Sequence, residues 1–121
     1  MAARLLSGGD GAPTELARRW GERYDEVMVD EYQDTNAVQN AIFTALTGGG
    51  KNLFMVGDVK QSIYRFRLAD PTIFLAKYRA YKPWNEAEEG EPRRVALSRN
   101  FRSRLQVLEG ANYIFRSVMS E

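Results

Sequence analysis

Val-Asp-Glu-Tyr-Gln-Asp-Thr-Asn, residues 29 to 36, is the stretch on which the reading of this chain turns. Its first residue closes a short apolar run, Val-Met-Val at 27–29, bounded by Glu26 and Asp30. Such a run predicts a short buried strand. Asn36 then stands where a helix N-cap belongs, because Val38, Ala41, Ile42, Ala45 and Leu46 recur at spacings of three and four. A strand that ends in paired acids and hands over to a helix suits an open α/β sheet. In such sheets ligands lie beyond the carboxyl ends of the strands.

Working outward, Gly48-Gly49-Gly50 ends that helix, and Asn52 to Val56 predicts a second buried strand with Gly57 allowing a tight turn. Asp70-Pro71 predicts a helix start that Ile73, Phe74, Lys77, Tyr78 and Tyr81 carry on to Lys82. Residues 83 to 93 form a polar, acidic loop or hinge, followed by a third short strand at Val95 to Leu97. Ser103-Arg-Leu-Gln106 matches a capping box for a last helix, with Leu105, Leu108, Asn112, Phe115 and Met119 along one face. On the other side, residues 1–13 end in Ser-Gly-Gly-Asp-Gly-Ala-Pro and read as a flexible segment. Thr14 predicts the cap of a short helix through Trp20. Alternating strands and helices favour a parallel sheet flanked by helices, the α/β class.

A chain of 121 residues fits one modest domain, and such a length buries roughly two-thirds of its unfolded surface. With 44% apolar residues the composition is that of a folded protein rather than a disordered one. Cysteine and histidine are both absent. That excludes disulfides, thiolate zinc sites and the usual neutral-pH general base. Chemistry must rest on carboxylates, amides, lysines and arginines. The apolar runs fall far short of the roughly 20 residues that span a bilayer, and no secretory core follows Met1. No membrane association and a cytoplasmic location are therefore expected.

The net charge of +1 hides an uneven distribution. Lys60, Arg65, Arg67, Lys77, Arg79 and Lys82 face only Asp70 between positions 60 and 82, whereas Glu86, Glu88, Glu89 and Glu91 cluster just beyond. The basic stretch also carries Tyr64, Phe66, Phe74, Tyr78 and Tyr81, a composition suited to a nucleic-acid surface. It equally suits a solvated helix face with tyrosines packed beneath it.

Asp30 and Glu31 lie at the expected strand end, and Gly57-Asp58 followed by Gln61 lies at the next. One carboxylate can hold magnesium, a second can activate water, and an amide can bond a phosphate oxygen without adding charge. An Asp-Glu pair alone is equally read as soluble strand-end acids, with Asp34 helping to start the next helix. The longer string, together with Val56-Gly-Asp58, Lys60-Gln-Ser-Ile-Tyr-Arg-Phe-Arg67 and Leu97-Ser-Arg-Asn-Phe-Arg-Ser103, is more specific. In order and wording these resemble the motifs of the UvrD/Rep-type superfamily 1 DNA helicases. Arg65 and Phe66, where many relatives carry glycine and tryptophan, point to the AddA (RexA-like) branch of bacterial ATP-dependent helicase-nucleases.

The resemblance implies part of a RecA-like (P-loop NTPase) parallel sheet, with residues 14–82 in a first lobe, 83–93 a hinge and 94–121 opening a second lobe. It implies ATP and Mg2+ as cofactors, with Asp30 on the metal and Glu31 activating water. Gln61 would sense the γ-phosphate, and Arg102 would reach that phosphate from the second lobe. Tyr64 and Phe66 would stack bases of single-stranded DNA, and Arg67 would contact its backbone. Single- and double-stranded DNA, an AddB-type nuclease partner, and a role in double-strand break repair and recombination follow from the same resemblance.

The P-loop pattern is missing: Gly50-Lys51 has Ala45 where the first glycine belongs and Asn52 where a hydroxyl belongs, and the strand edge it leaves invites self-association. The chain thus reads as an internal piece, inactive alone. Two rivals stand beside this reading. One is a stand-alone nucleic-acid-binding module without ATPase activity. The other is a metal nuclease built on Asp30, Glu31 and Asp58.

Overall fold

The computed structural model of the chain describes residues 1–62 and 68–119. Helices α1 (Ala2–Leu6) and α2 (Glu15–Gly21) lead to strand β1 (Val27–Val29), a 3-10 turn (Tyr32–Asp34) and helix α3 (Ala37–Leu46). Strand β2 (Leu53–Met55), a second 3-10 turn (Val59–Gln61) and helix α4 (Pro71–Ala80) follow. Short strands β3 (Lys82–Pro83) and β4 (Arg93–Arg94) precede helix α5 (Leu105–Val118). The described part is thus a mixed helix/strand fold with two small parallel sheets, β1–β2 and β3–β4.

Local chemistry accounts for the helices that the pattern foretold. Asn36 and Gln39 close a reciprocal capping box at α3, each side chain bonding the other's backbone N–H at 2.9 and 3.0 Å. Gly48, Gly49 and Gly50 all take positive φ just past α3, the conformation that stops a helix without steric cost. Asp70 caps α4 by accepting from the Thr72 N–H, and Pro71 fills the first helical position. Thr14 caps α2 through the Ala17 N–H.

Four expectations differ from what is observed. Residues 1–13, expected to be a flexible segment, carry α1 and a turn in which the Gly8 N–H donates to the Ala12 carbonyl at 2.7 Å. Thr14 anchors that turn, its hydroxyl donating to the Leu5 carbonyl at 2.8 Å. Residues 95–97 form no strand, since the pairing with β3 falls earlier, at Lys82↔Arg93 and Pro83↔Arg94. The last helix opens at Leu105 with Arg104 as its N-cap and no side-chain cap bond. The N-cap position falls at Arg104, one residue past Ser103, and Asn100 Oδ1 takes the Arg102 and Ser103 backbone N–H groups in the turn before the helix. Finally, β1 and β2 are covered on one face only: Met28 and Phe54, paired across the sheet, are 71% and 51% exposed. Alternation of side chains along a strand puts Val27, Val29, Leu53 and Met55 on the covered side.

The core is centred on Tyr32, which is fully buried. Its ring lies 6.2 Å from Phe43 of α3 and 6.0 Å from Phe74 of α4, both tilted. Its hydroxyl donates to Asn40 Oδ1 at 2.7 Å, so the polar end is satisfied as the ring is buried. One side chain therefore joins the strand-end turn to two helices. Small residues let the rest approach closely. Ala17 and Ala45 are buried, and a Cβ on Gly21 of α2 would collide with the Leu46 carbonyl of α3.

Burial, with Tyr81 nearby as a smaller contribution, pushes the Tyr32 phenol up to about 12. The folded state thus holds this proton more tightly than the unfolded chain, whose phenol titrates near the ordinary 10.0. The stabilisation is complete below the unfolded value and is lost as the pH climbs through the folded one. Chemical denaturation followed between pH 9 and 12 should show falling stability, with a shallower fall in Tyr32→Phe. At pH 7 that variant should lose about 1 kcal/mol for the missing hydrogen bond.

Candidate functional site

Parallel pairing of β1 and β2, in the register Val27↔Leu53, Met28↔Phe54, Val29↔Met55, brings both carboxyl ends to one edge. The chain leaves that edge at Asp30 on one side and at Val56-Gly57-Asp58 on the other. A main-chain bond fastens the two exits, with the Tyr32 N–H donating to the Val56 carbonyl at 2.8 Å.

Glu31 makes the turn in the left-handed region, at φ 50 and ψ 42. For a residue with a side chain this costs about 1–2 kcal/mol, and such strain recurs at functional positions. Two bonds hold it. The Glu31 N–H donates to Asp30 Oδ1 at 2.8 Å, and Glu31 Oε2 accepts from Gln33 Nε2 at 2.7 Å. Asp30 and Glu31 are both exposed. Among the described residues Asp30 Oδ2 and Glu31 Oε1 have no hydrogen-bond partner and face no competitor for an incoming group.

Gln33 is 1% exposed, and the other end of its amide crosses to the second strand end. Its Oε1 accepts from the Asp58 N–H at 3.0 Å. Asp58 in turn caps the following 3-10 turn, Oδ1 accepting from the Lys60 N–H at 3.0 Å and Oδ2 from Gln61 Nε2 at 3.1 Å. The Gln61 amide, then the Lys60 N–H, hold the Asp58 carboxyl below its ordinary range. A continuous path therefore runs from Glu31 through Gln33 and Asp58 to Gln61. Gly57 makes room for it: a Cβ there would sit 2.6 Å from Gln33 Oε1 and 3.3 Å from Phe74 Cζ.

Of the residues singled out in the sequence, Asp30, Glu31 and Gln61 come to this edge. Arg102 does not join them; it is exposed before α5, and its guanidinium makes no hydrogen bond or ion pair among the described residues. Tyr64, Phe66 and Arg67 lie outside the described residues. Gln33 and Asp58 are the members to which pattern reading gave no part in joining the two loops. The available signal was that Gln33 stands two residues past Glu31, inside the quoted string. Asp34 does not start the next helix; its Oδ1 is buried without a partner among the described residues.

The rival three-carboxylate metal centre is not formed. Among the described residues no group of three or more acids is placed to hold a metal ion. A single exposed carboxylate, Asp30, suits magnesium, which takes hard oxygen ligands and keeps several waters. The basic-aromatic stretch is partly consumed by internal contacts. The Arg94 guanidinium lies 4.4 Å over the Tyr78 ring and donates to the Tyr78 carbonyl at 2.6 Å. Lys82 pairs with Glu91 at 2.7 Å. No helix among the described residues is long and apolar enough to cross a membrane.

Residues 2–82 match the UvrD/REP helicase N-terminal domain. The A-type subunit of the ATP-dependent helicase/nuclease from Staphylococcus aureus strain JH9 is 48% identical over an alignment of 124 residues that takes in all of this chain. The same protein from strains N315 and NCTC 8325 / PS 47 gives the same identity. In each case the chain spans about a tenth, 10%, of the relative's length.

Gly57→Ala should force Gln33 or Phe74 to move and cost about 1–3 kcal/mol of stability. Urea denaturation at neutral pH measures it. Gly9→Ala, which meets nothing within 4 Å, is the matched control.

Proposed function

The chain belongs to the UvrD/REP helicase N-terminal domain family, and from it we propose a segment of an ATP-dependent helicase/nuclease A-type subunit that contributes part of its ATP-hydrolysing site. The observation that carries the proposal is the hydrogen-bonded path joining Glu31 to Gln61 across the two strand ends. Water activation and phosphate sensing must be linked in a motor, and here the two side chains share one framework.

In this reading Asp30 presents its free oxygen to Mg2+, which when bound with ATP supplies the charge that screens the phosphates. Glu31 keeps Oε1 open to orient the attacking water and accept its proton. Gln61 keeps its carbonyl oxygen and second N–H available toward the γ-phosphate side. Arg102 serves as the arginine that reaches the same phosphate, and its freedom from internal partners agrees with such a task. Tyr64 and Phe66 stack the bases of single-stranded DNA, and Arg67 holds the backbone. Stacking of this kind contributes about 1–3 kcal/mol per base and tolerates any sequence.

Residues 14–82 then correspond to part of a first RecA-like lobe, 83–93 to a hinge, and 94–121 to the opening of a second lobe. The Lys82–Glu91 pair and the Trp84 N–H bond to the Arg94 carbonyl support a hinge tied at its base. The intact protein is proposed to translocate along single-stranded DNA in break repair and recombination, in the cytoplasm, beside an AddB-type nuclease partner. On its own the 121-residue chain has no glycine-rich phosphate cradle in its sequence. Its bare sheet face supports self-association in that isolated state.

Glu31→Gln in the intact protein should lower the kcat of DNA-stimulated ATP hydrolysis by roughly 10²–10⁴-fold, with single-stranded DNA binding retained. Tyr64→Ala with Phe66→Ala should weaken that binding while basal hydrolysis survives. Full turnover in Glu31→Gln would remove the proposed site. The isolated chain should hydrolyse no ATP, and light scattering should find it larger than a monomer.

A further inference from the structure

Resting on the reading of Glu31 as the water-activating group, we infer that Gln33 is its positioning residue and ties it to the loop that bears Gln61. Few side chains can do what the geometry asks. The Glu31 carboxylate accepts only, so its partner must donate; the Asp58 N–H donates only, so its partner must accept. An uncharged amide does both at once, and those two partners fix which way the Gln33 amide points. A glutamate of the same shape would keep the bond to Asp58 and turn a second carboxylate toward Glu31. A leucine would lose both bonds and leave the Asp58 N–H without its acceptor.

The backbone makes this support necessary. Glu31 sits in a left-handed conformation that disfavours a side chain, two residues past the end of β1. The Gln33 bond at 2.7 Å is the one hydrogen bond on that carboxylate among the described residues. Gln33 itself is immobilised by burial beside Tyr32 and by the close approach of Gly57. A rearrangement of the Asp58–Gln61 turn therefore pulls on the Gln33 carbonyl and shifts the carboxylate at its other end. Through this amide the state of the phosphate-sensing loop reaches the group that handles water.

The test uses the intact protein with ATP and single-stranded DNA, together with hydrogen exchange at the Asp58 amide. Gln33→Leu should lower kcat by roughly 10- to 100-fold, the scale of a misplaced catalytic group, with KM for ATP near the wild-type value. Exchange at Asp58 should quicken while the Asn40 amide, which donates to the Asn36 carbonyl inside α3, keeps its protection. Gln33→Glu preserves shape and the Asp58 bond, so it should lose kcat with exchange at Asp58 unchanged. It decides the matter if Gln33→Leu does not fold. Wild-type kcat in Gln33→Glu, beside a Glu31→Gln variant that has lost turnover, overturns the positioning role and leaves the hydrolysis reading standing. Full turnover in Glu31→Gln overturns that underlying reading instead.

Discussion

A buried amide must satisfy both of its ends, and Gln33 does so by joining two loops that the sheet by itself would leave separate. Leaving either end unmade would cost on the order of 1–3 kcal/mol, because the Gln33 side chain itself is buried. The requirement is therefore strong enough to fix where the Asp58 turn sits relative to Glu31. Tyr32, one position earlier, meets the matching requirement for the core. Its ring fills the space between α3 and α4 while its hydroxyl finds Asn40. Consecutive residues of one 3-10 turn thus face in different directions, one building the core and one the site. A shift of either would move the other.

This arrangement carries backbone strain. Glu31 occupies a conformation that glycine would adopt more readily, yet glycine could bring no carboxylate to the edge. The surrounding bonds, from Asp30 Oδ1 to Gln33 Nε2, hold the turn in place. Gly57 supplies the opposite adaptation on the second loop, where the absence of a Cβ lets main chain and amide meet. Carboxylate and bare backbone are thereby set on facing loops, each where the other residue type would fail.

Away from this edge the surface is unevenly covered. One face of the β1–β2 pair carries Met28 and Phe54 in the open, and α5 exposes Leu105, Tyr113 and Phe115. The basic-aromatic stretch is less available than its composition suggests, because Arg94 lies over Tyr78 and Lys82 is neutralised by Glu91. Both features temper a reading by composition. Neither the number of apolar residues nor the number of lysines tells which of them are already engaged.

The local elements are legible in the sequence wherever their determinants are a few residues apart. Asn36 with Gln39, Asp70 with Pro71, Thr14 and the three glycines after α3 act within one helical turn, so spacing alone locates them. The motif order also singles out Asp30, Glu31 and Gln61, and the parallel pairing of two short strands brings them to one edge. The strand expected at 95–97 and the cap expected at Ser103 are each displaced along the chain: β3 pairs earlier, at Arg93 and Arg94, and α5 opens later, with Arg104 as its N-cap. One-sided burial of the strands is hidden as well, since an apolar run looks alike whether one face is covered or two. What only the tertiary structure decided is the bridge that Gln33 makes between the two loops. Its two partners lie 2 and 25 residues away, and a hydrogen bond across that second interval exists only once the sheet has brought the loops together.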